Sequence, residues 1–368
     1  LTVLYYLHQF SSYFGPLRVF ESITFRATGA ALTTFLLSLW LGPKLIAVLT
    51  RLKLGQPIRG AEEVHKLADL HGGKKGTPTM GGLMILITLV FSCLLWADLH
   101  NHYLWMVLIP TLLFGALGFL DDFQKIRKKH SGGISSRQKL LGQIVIAVAV
   151  GLVLLNHPDT SVHARTLQLP FFKNPVVDNL GWLALIFFAL VMVGSSNAVN
   201  LTDGLDGLAT GCTVTVVAVF AVFAYLSGNK VTADYLLLPH VPGVSELTIF
   251  CAAMAGSCLG FLWYNCHPAR VFMGDTGSLA IGGAIGTVSI CVNQELLLVI
   301  VGGVFVIEAL SVILQVASFK LTGRRIFAMS PIHHHFELKG WNESTVVIRF
   351  WIASIVFALI GLATLKLR

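Results

Sequence analysis

The stretch LLLVIVGGVFVIEALSVIL, Leu296–Leu314, carries one charged residue in nineteen and no alternation of polar with apolar positions. A strand of a membrane barrel would alternate over about ten residues. Consecutive apolar positions point instead to a helix with lipid or protein on every side. The shorter run ILITLVFSCLL, Ile85–Leu95, reads the same way.

A membrane helix needs roughly 20 apolar residues. Working outward, ten stretches read as spans: about 22–49, 77–97, 102–120, 137–155, 181–199, 206–226, 246–264, 278–292, 296–320 and 344–366. Composition agrees. With 55% hydrophobic residues, 12% charged and a mean hydropathy of +0.76, the chain has more apolar surface than a water-soluble fold of this length can hide. The expected fold is all-α: a polytopic integral membrane protein of about ten transmembrane helices, forming one domain over residues 1–368. No internal repeat or low-complexity segment stands out.

A formal charge of +8 raises the question of nucleic acid, and its distribution answers it. The loops after spans 1, 3, 5, 7 and 9, with the helix ends that bound them, hold 17 of the 26 Lys and Arg; the opposite loops and both tails hold 6. Cytoplasmic loops are enriched in these residues, so both termini are expected outside and no nucleic-acid partner is expected. Arg26, Lys44 and Arg349 fall near span ends, where long side chains can snorkel. The first apolar segment is too long for a cleavable signal peptide and is expected to insert as a span. The six cysteines show no CxxC spacing and read as reduced packing residues. The outer loop 156–180 is long enough to fold locally, as a hairpin around Pro170, and suggests no chemistry.

Acids at membrane depth are costly and mark function by default. Asp121 and Asp122 close span 3 after Gly118-Phe-Leu120; Asp203 and Asp206 lie in NAVNLTDGLDGL, Asn197–Leu208; Asp275 lies in VFMGDTG, Val271–Gly277. The charge count places these three loops on one side. Carboxylates crowded at one interface would repel each other and take up protons unless a cation sat among them. Hard oxygen ligands without a Cys/His pattern favour Mg²⁺, which in turn suggests a phosphate-bearing substrate. Glu308, in the middle of span 9, reads as a protonated, hydrogen-bonded buried glutamate in preference to a catalytic one.

Basic groups support an anionic substrate. GGKKGTPTMGG, Gly72–Gly82, sets two lysines and a glycine-rich turn at the start of span 2, where free N–H groups favour phosphate. Lys125, four residues after Asp121, faces the same way if the helix continues. PIHHHFE, Pro331–Glu337, holds three adjacent histidines, of which at most two can serve one site; phosphate contact, proton handling or orientation of a neighbour suits them better than zinc.

These segments, Lys74–Gly82, Asp121–Lys125, Asn197–Leu208, Phe272–Asp275 and Pro331–Glu337, resemble the signatures of the polyprenyl-phosphate N-acetylhexosamine-1-phosphate transferases. The histidine triplet ahead of Phe-Glu selects the phospho-N-acetylmuramoyl-pentapeptide transferase branch, and the resemblance covers essentially the whole chain. It implies transfer of phospho-MurNAc-pentapeptide from UDP-MurNAc-pentapeptide to undecaprenyl phosphate, a membrane lipid, giving lipid I and UMP for peptidoglycan synthesis. It further implies Mg²⁺, a homodimer, and a bacterial inner membrane with the site facing the cytoplasm. Residue by residue, it implies Asp275 as the Mg²⁺ ligand and Asp121, Asp122 and Asp203 as essential acids. Lys74, Asn197, Asn200, Asp206, Asn265 and Phe272 would line the nucleotide pocket, with Phe272 stacked on uracil and Asp206 bonded to its edge. Lys125, His334 and His335 would share the phosphate charge. Either Asp121 or Asp122 would take a proton from, or orient, the acceptor phosphate; an aspartate nucleophile with a covalent intermediate is the alternative route. Two other functions compete: a sibling enzyme transferring GlcNAc-1-phosphate, and a cation-coupled transporter, whose acids would lie nearer the bilayer midplane.

Overall fold

A computed structural model describes residues 4–52, 76–128 and 133–366. Among them the chain is helical, with thirteen α-helices and no strand. In chain order these are α1 Ile23–Arg51, α2 Gly82–Trp96, α3 His102–Lys128, α4 Ser136–Asn156, α5 Leu183–Thr202, α6 Leu208–Gly228, α7 Lys230–Leu236, α8 Leu247–Asn265, α9 Gly274–Cys291, α10 Glu295–Val301, α11 Gly303–Thr322, α12 Ile332–Leu338 and α13 Glu343–Ala363. Eight of the helices are long and apolar enough to cross a bilayer. This is a membrane protein, and all ten expected stretches are helical.

Helices α2 and α9 are the two expected spans outside those eight. Helix α9 holds five glycines, two serines and two threonines in eighteen residues. It needs no lipid-facing apolar surface, because every residue from Thr276 to Cys291 is buried. It runs through the centre of the bundle against α2, α3, α5 and α6. Small residues allow that, since in lipid helix association relies on close packing. The outer helices α1, α4, α5, α11 and α13 instead expose Leu36, Trp40, Leu141, Leu190, Ile313 and Leu359.

Several ends differ from the sequence reading. Span 9 is broken: α10 stops at Val301 and α11 starts at Gly303, with Gly302 at a non-helical ψ of 21°. A side chain at 303 would sit 2.8 Å from the Phe357 ring of α13, so the glycine pair lets two helices meet there. Helix α2 begins at Gly82, five residues late, because residues 78–81 run alongside Phe272 and Met273. Helix α3 continues past the apolar segment to Lys128. In the outer loop the only pairing among described residues is a bridge between Leu167 and Val177, a wider loop than one turning at Pro170. All six cysteines are free, five of them buried.

Arg26 does not snorkel. It is buried at the end of the bundle opposite the aspartates, where its guanidinium makes two bonds to Glu246, of 2.5 and 3.1 Å, beneath the Tyr5 ring. Glu246 also accepts the Asp98 N–H at 2.6 Å, which joins α1, α8 and the loop after α2. Removing one partner of a buried pair strands the other charge. Glu246→Ala is therefore expected to destabilise the protein by about 3–5 kcal/mol, read as a lowered Tm in detergent, with part of the loss recovered in the Arg26→Met/Glu246→Ala double variant.

Candidate active site

Because α3 stays helical to Lys128, Asp121 and Lys125 stand one turn apart, and their charged groups meet at 2.7 Å. The other Asp121 oxygen accepts the Ile134 N–H at 2.7 Å, which fixes the chain as it turns towards α4. Ser135 caps α4, accepting the Gln138 N–H at 3.3 Å. One turn into that helix, Lys139 reaches back to bond Asp275 and lies 3.7 Å from Asp121. Lys125 also holds Asp275, at 3.0 Å. Lys139 did not stand out in the sequence, where it is one of many cations near that side; only its place on the first turn of α4 sets it apart.

Asp122 has a different job. One oxygen accepts the Asp275 N–H at 3.2 Å, and the other accepts the Thr276 N–H at 2.9 Å and the Thr276 hydroxyl at 2.8 Å. A side chain of α3 thus satisfies the orphan N–H groups at the start of α9. The turn leading in requires Gly274, whose φ is +72° and where a Cβ would lie 2.6 Å from Asp122 Oδ2 and 2.7 Å from Thr79 Oγ1.

Asp121, Asp122 and Asp275 each offer one oxygen within 4.8 Å of the others. A six-coordinate cation with oxygen ligands at about 2.0–2.1 Å would gather such a set. Asp121 and Asp122 are 3% exposed and two ammonium groups face three carboxylates, so the group keeps an excess of negative charge that favours a cation. The donor set fits Mg²⁺, with Asp275 and Asp121 less committed to backbone than Asp122.

The wall beside this cluster is built from backbone. Phe272 donates its N–H to Pro78 at 2.8 Å and accepts from Gly81 at 2.8 Å, while Met273 accepts from Gly82 at 2.9 Å. Phe272, half-buried, is thereby fixed two residues ahead of α9. Lys74 lies outside the described residues. Asn200, on α5, accepts the Ser278 hydroxyl at 2.7 Å, and Ser278 also bonds the Gly274 carbonyl at 3.1 Å. Asn197 is turned towards α4, donating to Gln143 at 2.9 Å.

Asp203 and Asp206 sit on the neighbouring loop between α5 and α6. Asp203 is half-buried. Asp206 is buried, accepts the Ala269 N–H at 3.0 Å and lies 3.2 Å from His267 Nδ1; its own N–H donates to Glu343 at 2.9 Å. Asn265 is buried as well, accepting from Gly207 at 3.1 Å and donating to Val271 at 2.9 Å. These two side chains hold loops in place. His267 and Glu343 form a second group with Asp206 that sequence reading missed, since nothing in either residue's local pattern announces it.

The histidine triplet forms the start of α12. His334 Nδ1 lies 2.7 Å from Glu337, and His335 Nδ1 accepts the Ala328 N–H at 3.0 Å, which leaves its Nε2 to carry the proton of the neutral ring. His333 is fully buried. Of the five aspartates, then, three converge with two lysines, and the other two occupy an adjoining loop. Asp122→Ala is expected to lower stability by about 1–2 kcal/mol, the loss of a good helix cap, seen as a reduced Tm together with faster amide exchange at Thr276.

Comparison with known proteins identifies the family. Residues 104–293, which carry all five aspartates, match the model of glycosyl transferase family 4. Residues 74–86 match the phospho-N-acetylmuramoyl-pentapeptide-transferase signature 1. The chain is similar to the phospho-N-acetylmuramoyl-pentapeptide-transferase of Methylacidiphilum infernorum (isolate V4), 59% identical over all of both chains. It is also similar to that of Desulfotalea psychrophila (strain LSv54 / DSM 12343), 53% identical over all of this chain and 99% of the relative. At that identity over the full length, the chain belongs to the phospho-N-acetylmuramoyl-pentapeptide-transferases of glycosyl transferase family 4.

Proposed function

We propose that the protein transfers phospho-MurNAc-pentapeptide from UDP-MurNAc-pentapeptide to undecaprenyl phosphate, forming lipid I and UMP in peptidoglycan synthesis. The observation that carries this reading is the Asp121–Asp275–Lys125–Lys139 cluster at the mouth of the bundle. It is a charged group of side chains at the end of membrane helices, where a lipid phosphate and a water-soluble nucleotide can meet. The whole chain acts as one catalytic membrane domain. The Lys and Arg excess on the loops at this end supports a site facing the cytoplasm, in the bacterial inner membrane. The homodimer rests on the family resemblance.

Two phosphorylated substrates must approach each other against their own repulsion. Lys125 and Lys139, both paired with Asp275, would release it and bind phosphate oxygens instead. Asp275 and Asp121 would hold Mg²⁺, whose charge shields the meeting phosphates and stabilises the departing UMP. Asp121 has an oxygen on the lysine side and is the group that takes a proton from, or orients, the lipid phosphate. Asp122, with its oxygens engaged on α9, holds Asp275 in register. Phe272, Asn200, Asn265, Asp206 and Lys74 bind the nucleotide, and Asp203, His334 and His335 contact the transferring phosphates. Holding both substrates at the bundle's rim supplies much of the rate.

The test is UMP release from purified protein given UDP-MurNAc-pentapeptide, undecaprenyl phosphate and Mg²⁺, each omitted in turn; release without the lipid or without Mg²⁺ overturns the reading. Asp121→Asn is expected to lower kcat by about 10²–10⁴-fold, the usual worth of a positioned acid or base, with the nucleotide KM little changed. Asp275→Asn is expected to raise the Mg²⁺ concentration needed for half-maximal turnover.

A further inference from the structure

Glu308 and His333 are both 0% exposed, and they face each other across the gap between α11 and α12 with Glu308 Oε1 3.1 Å from His333 Nδ1. The approach lacks hydrogen-bond geometry: among the described residues neither carboxylate oxygen and neither ring nitrogen has a hydrogen-bond partner, so Glu308 is buried as expected but not hydrogen-bonded, and close polar contact is what relates the two side chains. A carboxylate in the middle of a membrane helix is costly, and a buried polar pair gives little net stability over apolar side chains of the same size. What it can supply is a single orientation.

The elements around the pair need one. Helix α12 has seven residues, too few for its own hydrogen bonds to keep it formed. The far side of the His333 ring packs against the α5–α6 loop: a Cβ on Gly204, next to Asp203, would collide with His333 Nε2. Helix α11 grips the chain ahead of the triplet too. Two turns on from Glu308, on the same face, Gln315 accepts the Ile326 and Phe327 N–H groups at 3.0 and 2.9 Å and donates to the Phe327 carbonyl at 3.0 Å. Ser318 donates to the Arg324 carbonyl at 2.9 Å. With His333 held inward, helical rotation of 100° per residue turns His334 and His335 out of that contact, and both are half-buried.

We propose that Glu308 is a positioning residue that acts through His333: the pair sets the orientation of His334 and His335 and the seat of the Asp203 loop, without touching substrate. This rests on the transferase reading above and adds a residue remote from the phosphates to it.

UMP release and Tm are to be measured on full-length protein for wild type, Glu308→Ala, His333→Ala, the double variant and Glu308→Gln. Expected are kcat losses of about 10- to 100-fold in each alanine variant, the scale of a small misplacement of catalytic groups. KM for both substrates should stay within about threefold, and the double variant should be no worse than about threefold below the poorer single one, because coupled residues are not additive. Glu308→Gln, which keeps a polar side chain of the same size and reach, should recover most of the lost turnover. Alanine variants as active as wild type, losses that multiply in the double variant, or a glutamine variant as poor and as unstable as the alanine one would each overturn the proposal while leaving the transferase reading intact. A wild-type protein that releases no UMP would overturn the transferase reading and this one with it.

Discussion

A helix that begins inside a protein, away from water, leaves several backbone N–H groups to be satisfied by something else. In this bundle the central helix α9 begins in that way, and the acceptor is the carboxylate of Asp122 on α3. Much follows from that one contact. It brings the first turn of α9 against the last turns of α3, so that Asp275 arrives beside Lys125 and Lys139. It explains Gly274, whose backbone turns where any side chain would strike the same carboxylate. It also explains why two adjacent aspartates occur: on a helix, neighbours point about 100° apart, so one can hold the scaffold while the other faces the lysines.

The two ends of the bundle treat charge differently. At one end Arg26 and Glu246 are closed off, matched in number and geometry, under an aromatic lid. At the other, three carboxylates outnumber two ammonium groups, and those lysines are one-sixth to one-quarter exposed. A matched pair sealed from water locks helices together, whereas an unbalanced and accessible group is ready to exchange partners. The family comparison gives the chain its class, and the physical contrast between the ends is independent of it.

The spans were legible because apolarity belongs to the residues themselves, and the long runs of α11 and α2 declare it without reference to any neighbour. Helix ends were less so. Where α2 begins depends on Phe272 and Met273, nearly two hundred residues away, and the break at Gly302 depends on the Phe357 ring of α13. The same holds in the site. Depth alone marked the aspartates as suspects, but nothing local separates Asp122, consumed by α9, from Asp121. Lys139 was hidden among other cations whose presence topology already explains. Glu308 stood out as an anomaly, yet its partner lies on another helix, and the resemblance pointed to the other two histidines.

The abbreviated helix α2 has a consequence for the lipid. Fifteen residues at 1.5 Å each span about 22 Å, several ångströms less than the roughly 30 Å hydrocarbon layer. The missing length is made up by residues 78–81, non-helical backbone that survives at this depth because Phe272 and Met273 bond to it. The span is therefore completed by backbone tied to the turn that precedes Asp275, and the acids stand at the ends of membrane helices rather than on a separate soluble domain. A lipid phosphate anchored in the surrounding leaflet can reach such helix ends by sideways diffusion, and the encounter between a greasy substrate and a soluble one becomes a search in two dimensions.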